Sequence, residues 1–110
     1  MAENTIEKIQ EKIRNYNSLN EENKTELLDL LAKLNNEIAE LSKEQAEHAE
    51  TIAGHIERST DEAMKDEKDP NLLKKAIEGL SDSVKGFEVS HPILTENVNY
   101  IATVLSNMGI

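Results

Sequence analysis

The sequence predicts an all-α protein, a long helical hairpin or coiled-coil-like helix bundle completed by self-association. Three observations point there. Apolar residues recur at helical spacing almost from end to end. Gly (4) and Pro (2) are scarce, which removes the punctuation of an all-β fold. Tyr16, Phe87 and Tyr100 are the sole aromatics, so core volume must come from Leu, Ile, Val and Ala, the residues that build coiled coils. A chain of 110 residues suits a single domain.

The first helix is expected from about Thr5 to Tyr16, with Asn4 as cap and Ile6, Ile9, Ile13 and Tyr16 on one stripe. The run Asn15-Tyr16-Asn17-Ser18-Leu19-Asn20 competes with the helical backbone and breaks it. Either Ser18, at capping-box spacing from Glu21, or Asn20 then starts the next helix.

That second helix is expected to run unbroken over 21–66. Leu27, Leu31, Leu34, Ile38, Leu41, Gln45, His48, Ile52, His55 and Ser59 alternate steps of four and three, which is a heptad seam. Beside it lies a second seam of mostly small residues: Leu28, Ala32, Asn35, Ala39, Ser42, Ala46, Ala49, Ala53, Ile56, Thr60 and Ala63. Two adjacent seams imply a helix that touches two neighbours. Unbroken, it would be about 65 Å long. The pattern ends in the charged stretch from Lys65 to Asp69.

Asp69-Pro70 is a capping side chain followed by proline at the first helical position. The third helix, expected over 70–88, carries Leu73, Ile77, Leu80, Val84 and Phe87. Its flank bears Leu72, Ala76, Gly79, Ser83 and Gly86. Each interior glycine costs roughly 1 kcal/mol against alanine. Gly79 and Gly86 are either tolerated at the surface or mark a close approach to the small seam of the second helix. Ser90 or His91 can cap the last helix, expected over 92–108, with Leu94, Val98, Ile101, Leu105 and Met108 inside and Gly109 as its end.

Charge and motifs narrow the function classes. The chain holds 22 acidic against 12 basic residues, a formal net charge of −10. Phosphate backbones and anionic membranes attract the opposite sign, so neither nucleic acid nor membrane is expected as a partner. No apolar run approaches spanning length, and Met1-Ala2-Glu3-Asn4 is acidic where a signal peptide is basic, which makes the cytoplasm the expected compartment. Cysteine is absent, no serine sits in a G-x-S-x-G turn, and no phosphate-cradling glycine motif occurs. His48 and His55 are one heptad apart, about 10.5 Å along a helix, too far to hold one metal between them. With Gln45 they read as a polar layer that sets register. Glu88-Val89-Ser90-His91 has the Glu-x-x-His spacing of carboxylate-bridged metal bundles once, where two copies are needed. No enzyme activity, metal or cofactor is expected.

Phe87-Glu88-Val89-Ser90-His91-Pro92-Ile93-Leu94, followed by Asn99, Ile101-Ala102, Leu105 and Met108-Gly109-Ile110, resembles the C-terminus of domain-of-unknown-function family 4404. Its members are short bacterial proteins ending in F-E-x-x-H-P-x-L, N-x-I-A-x-x-L and a terminal G-I. The N-terminal helix, the Asn/Glu-rich break and the Leu-rich run from Leu27 to Leu41 are similar in layout. The middle, from about Ser42 to Lys68, looks longer here than in the usual member. The resemblance implies a fold and no activity. Packing accounts for most of the matching residues. Glu88, His91 and Asn99 are less well explained by it and form the candidate polar site.

The expected function is therefore that of a structural or adaptor protein acting through helix–helix contacts, as a homodimer or on a protein partner. Its interface is expected on Leu27, Leu31, Leu34, Ile38, Leu41 and Ile52 of the second helix, Ile77, Leu80, Val84 and Phe87 of the third, and Leu94, Val98, Ile101 and Leu105 of the last. The alternative is an acidic regulator that sequesters a basic partner.

Overall fold

Helix starts are set locally, by side chains that satisfy the N–H groups a first turn leaves free. The computed structural model, which describes residues 2–17, 19–65, 67 and 69–108, has five helices: α1 (Ala2–Asn15), α2 (Glu21–Ala39), α3 (Lys43–Ala63), α4 (Pro70–Ser83) and α5 (Pro92–Met108). Asn20 caps α2, its Oδ1 accepting from the Glu22 and Asn23 N–H groups. Asp69 caps α4 in the same way, accepting from Asn71 and Leu72. Ser18, Asp66, Lys68, Gly109 and Ile110, to which the sequence reading gave roles, lie outside the described residues.

The expected helix over 21–66 is two helices. Ser42 is an N-cap: the Gln45 N–H donates to Ser42 Oγ, and the Ser42 N–H donates to Gln45 Oε1, both at 3.4 Å. This reciprocal pair closes a capping box and lets the chain reverse at Glu40-Leu41-Ser42. The longest helix, α3, has 21 residues, and the molecule measures 38 × 25 × 20 Å, too short for the expected rod. Two smaller corrections follow. The first helix begins at Ala2, so Asn4 lies within its first turn rather than capping it. The third ends at Ser83, whose Oγ–H bonds back to the Leu80 carbonyl at 2.7 Å, and a 3-10 turn (Lys85–Phe87) follows.

The helices alternate in direction. α1 and α3 are parallel, because Thr5 meets Glu50 and Lys12 meets Glu57, the same offset in sequence. α3 and α4 are antiparallel, with His48 at Gly86 and His55 at Gly79. α2 and α5 are antiparallel, with Glu37 bonded to Asn97 near one end and Asn23 near Asn107 at the other. The packing forms a closed ring α1–α2–α5–α4–α3, with α3 and α5 also in contact across its middle. Ile6, Ile9, Ile13, Leu27, Leu31, Leu34, Ile52, Ile56, Leu80, Phe87, Ile101 and Leu105 are the largest fully buried side chains.

This arrangement decides the fate of the two seams. Leu27, Leu31, Leu34 and Ile38 are buried in α2. In α3 the small seam goes inside, through Ala49, Ala53, Ile56, Thr60 and Ala63, joined by Ile52 and Ser59. Of the residues expected at an interface, Leu41 and Ile77 are half-buried and the rest are core within one chain. The seams that suggested self-association are thus covered internally.

Candidate functional site

The sequence stops α4 early and restarts the chain at a proline, and that junction holds the most exposed large apolar side chains among the described residues. The 3-10 turn drives Phe87 into the core, 2% exposed. The residues after it turn outward, and Val89 is 97% exposed. Pro92 occupies the first position of α5, where its missing N–H is no loss. The helical period then commits Leu94, Val98, Ile101 and Leu105 to the core. Ile93 and Tyr100, two turns apart, are left on the outer face at 66% and 52% exposed.

A groove of about 410 Å³ lies on the Tyr100 side of this face, lined by Glu88, Pro92, Thr95, Glu96, Asn99, Tyr100 and Thr103, while Ile93 borders a second cleft. Thr95 is buried in its wall, and its Oγ1 has no hydrogen-bond partner among the described residues. The Thr103 hydroxyl donates to the Asn99 backbone carbonyl at 3.0 Å, and Asn99 is exposed. Lysine and arginine are missing from the lining, and neither Glu88 nor Glu96 is in an ion pair among the described residues. The surface offers apolar area, two unpaired carboxylates and hydrogen-bonding groups.

The candidate polar site is therefore split. Glu88 and Asn99 share the α5 groove. His91 lies on the other side of Pro92, half-buried in a cleft of about 250 Å³ with Glu37, Glu40 and Leu94. Its ring packs on Phe87 at 5.7 Å, tilted by 50°, and that contact accounts for it by packing. The sequence reading missed Val89, Ile93, Thr95, Glu96 and Tyr100. The available signal was apolar residues at helical spacing on the side of α5 opposite its seam.

The expected layer of Gln45, His48 and His55 is not an interior one. His48 is exposed and His55 half-buried, because α3 turns its small seam to the core instead. The His55 ring lies over Gly79 of α4 and the His48 ring over Gly86 of the 3-10 turn. A Cβ on Gly86 would stand 2.9 Å from His48 Cε1, and one on Gly79 3.3 Å from His55 Nδ1. The glycines thus mark a close approach, to two imidazoles rather than to small residues. His48 Nε2–H donates to the Ser83 carbonyl at 3.0 Å, and its ring packs on Phe87 at 4.8 Å, tilted by 41°.

On the far side, Lys12 of α1 bridges to Glu57 and Asp61 of α3 at 3.2 and 3.3 Å. Partial burial alone would push this ammonium down. Hydrogen bonds to Glu57 and Asp61, and their charges, outweigh it and hold the group above its ordinary value of 10.5. Among the described residues no three His, Asp or Glu side chains converge as a metal would require. No helix among them is long and apolar enough to cross a membrane.

The model of a family described as Domain of unknown function (DUF4404) matches residues 27–110. The match runs through the Ser42–Lys68 stretch and takes in the whole of α5 and its groove. No curated protein and no solved structure matches the chain.

Proposed function

The chain belongs to the DUF4404 family, and we propose that it is a non-enzymatic adaptor that acts by helix–helix contact through the outer face of α5. The observation that carries this reading is the exposure of Val89, Ile93 and Tyr100 within one short stretch, where the other large apolar side chains among the described residues, Leu72 apart, are at least half-covered. Exposed apolar groups gathered on one face mark interaction surfaces. Burying each such side chain is worth roughly 1.5–3 kcal/mol, and tyrosine is among the residues that most often anchor interfaces. The seams suited to helix–helix contact by their rhythm are consumed in the core, so the contact surface moves to α5.

Site-directed photo-crosslinking in cells tests the proposal. A benzoylphenylalanine at Ile93 is expected to capture another protein, whereas one at Glu7, on the outer side of α1, is not. Equal capture at both positions, or none at Ile93, would overturn it.

A further inference from the structure

We infer that the occupant of the α5 face is a basic amphipathic helix of another protein, its Lys or Arg side chains set against Glu88 and Glu96. The inference rests on the docking role proposed for α5 and adds the partner's chemistry. Glu88 and Glu96 line the groove together with Pro92 and Tyr100 and face no cation in it. A helix laid along α5 would bring apolar residues to Tyr100 and to Ile93 beside it, and cations to the two carboxylates. Arginine suits the place best, since its planar fork of donors can pair a carboxylate and still reach the amide of Asn99. The Thr95 hydroxyl, buried in the groove wall without a partner among the described residues, is a second mark of an incomplete surface.

Charge chooses between occupants. A second copy would bring the same two glutamates and a further net charge of −10, so that a two-fold pairing opposes like charges. A basic helix meets complementary ones. Phosphate backbones and anionic lipids are repelled by the same field.

The test uses the full chain and two synthetic 18-residue amphipathic helices, identical in their Leu stripe. One carries Arg along both edges of that stripe and the other carries Glu at the same positions. Binding is read by fluorescence anisotropy, and circular dichroism melts check each variant's fold. The Arg peptide is expected to bind and the Glu peptide not to. Glu88→Gln/Glu96→Gln is expected to weaken the Arg peptide by about tenfold or more. Glu7→Gln/Glu11→Gln, the same charge removed from exposed positions on α1, is expected to change it by less than about twofold, as a distant screened pair should. Equal weakening by the two double variants would reduce the attraction to diffuse charge and overturn the inference. So would equal binding of both peptides, or a chain that is dimeric until Ile93→Asp makes it monomeric. The outcomes separate the two levels. If Ile93→Asp abolishes binding while Glu88→Gln/Glu96→Gln leaves it unchanged, docking on α5 stands and the basic partner falls. If Ile93→Asp has no effect, the docking role itself falls.

Discussion

α2 and α3 continue one heptad rhythm in the sequence, yet they bury different halves of it. α2 places its large seam inside and leaves Ala32 and Ala39 exposed, whereas α3 buries its small seam and moves Gln45, His48 and His55 to its edge. The neighbours explain the difference. α2 packs mainly on α1 and α5, while α3 packs on α1, α4 and α5. Helix axes come close only where the side chains between them are small, and a helix approached from three sides needs such residues over a wider arc. Ala49, Ala53 and Ala63 supply them, and the polar Ser59 and Thr60 are drawn inside with them. The Ser59 hydroxyl is satisfied by the His55 carbonyl at 2.8 Å.

The comparison breaks most sharply at its centre. Leu34→Ala in α2 should cost roughly 2–5 kcal/mol by emptying a filled site. In α3 the opposite change should hurt: Ala53→Leu, at a fully buried position, should cost about 1–3 kcal/mol by overpacking. Urea unfolding of both variants checks this, and an Ala53→Leu protein as stable as the wild type would show that α3 is not close-packed.

The boundary between the two helices rests on Ser42. Ser42→Ala removes the capping acceptor and should cost about 0.5–2 kcal/mol, with Thr in its place restoring most of the loss. Thermal melts of the three proteins decide whether the reversal depends on this cap.

The edge of α3 gives a subtler contrast. Gly86→Ala should push the His48 ring aside and break its bond to the Ser83 carbonyl, a loss of about 0.5–1.5 kcal/mol. Gly79→Ala needs a smaller shift of His55, and gains up to about 1 kcal/mol in helix propensity, so it should be neutral or slightly stabilising. In a His48→Ala background the penalty of Gly86→Ala should vanish, which a double-mutant cycle measures.

The smallest effect sharpens the α1–α3 contact. Lys12 has its pKa raised in the folded state, so the folded chain holds this proton more tightly than the unfolded one. Its contribution is fully present below pH 10.5 and is lost as pH rises through the folded value. Lys12→Met should therefore flatten the alkaline end of the melting-temperature profile, and an unchanged slope would show that the bridge is not coupled to folding.

Much of this was legible locally. Asp69-Pro70 and Asn20 announce helix starts by chemistry that acts within three residues, and the structure uses both. Ser42 and Gln45 carry the same kind of signal, but their spacing also fits the heptad count, so the rhythm runs across the turn undisturbed and hides it. The candidate site was half legible: Glu88 and Asn99 were singled out, while Thr95, Glu96 and Tyr100 look like any outward residues of a helix.

What the sequence determined by itself is the all-helical class, the stripes each helix can bury and most of the places where helices begin. These depend on backbone hydrogen bonding and a 3.6-residue period, which are properties of a few neighbouring residues. Tertiary structure alone decided which of two seams faces the core, that Gly79 and Gly86 lie under imidazoles, and that His91 parts from Glu88 and Asn99. Burial is conferred by whatever packs alongside, and no residue's local pattern contains its neighbours from another helix.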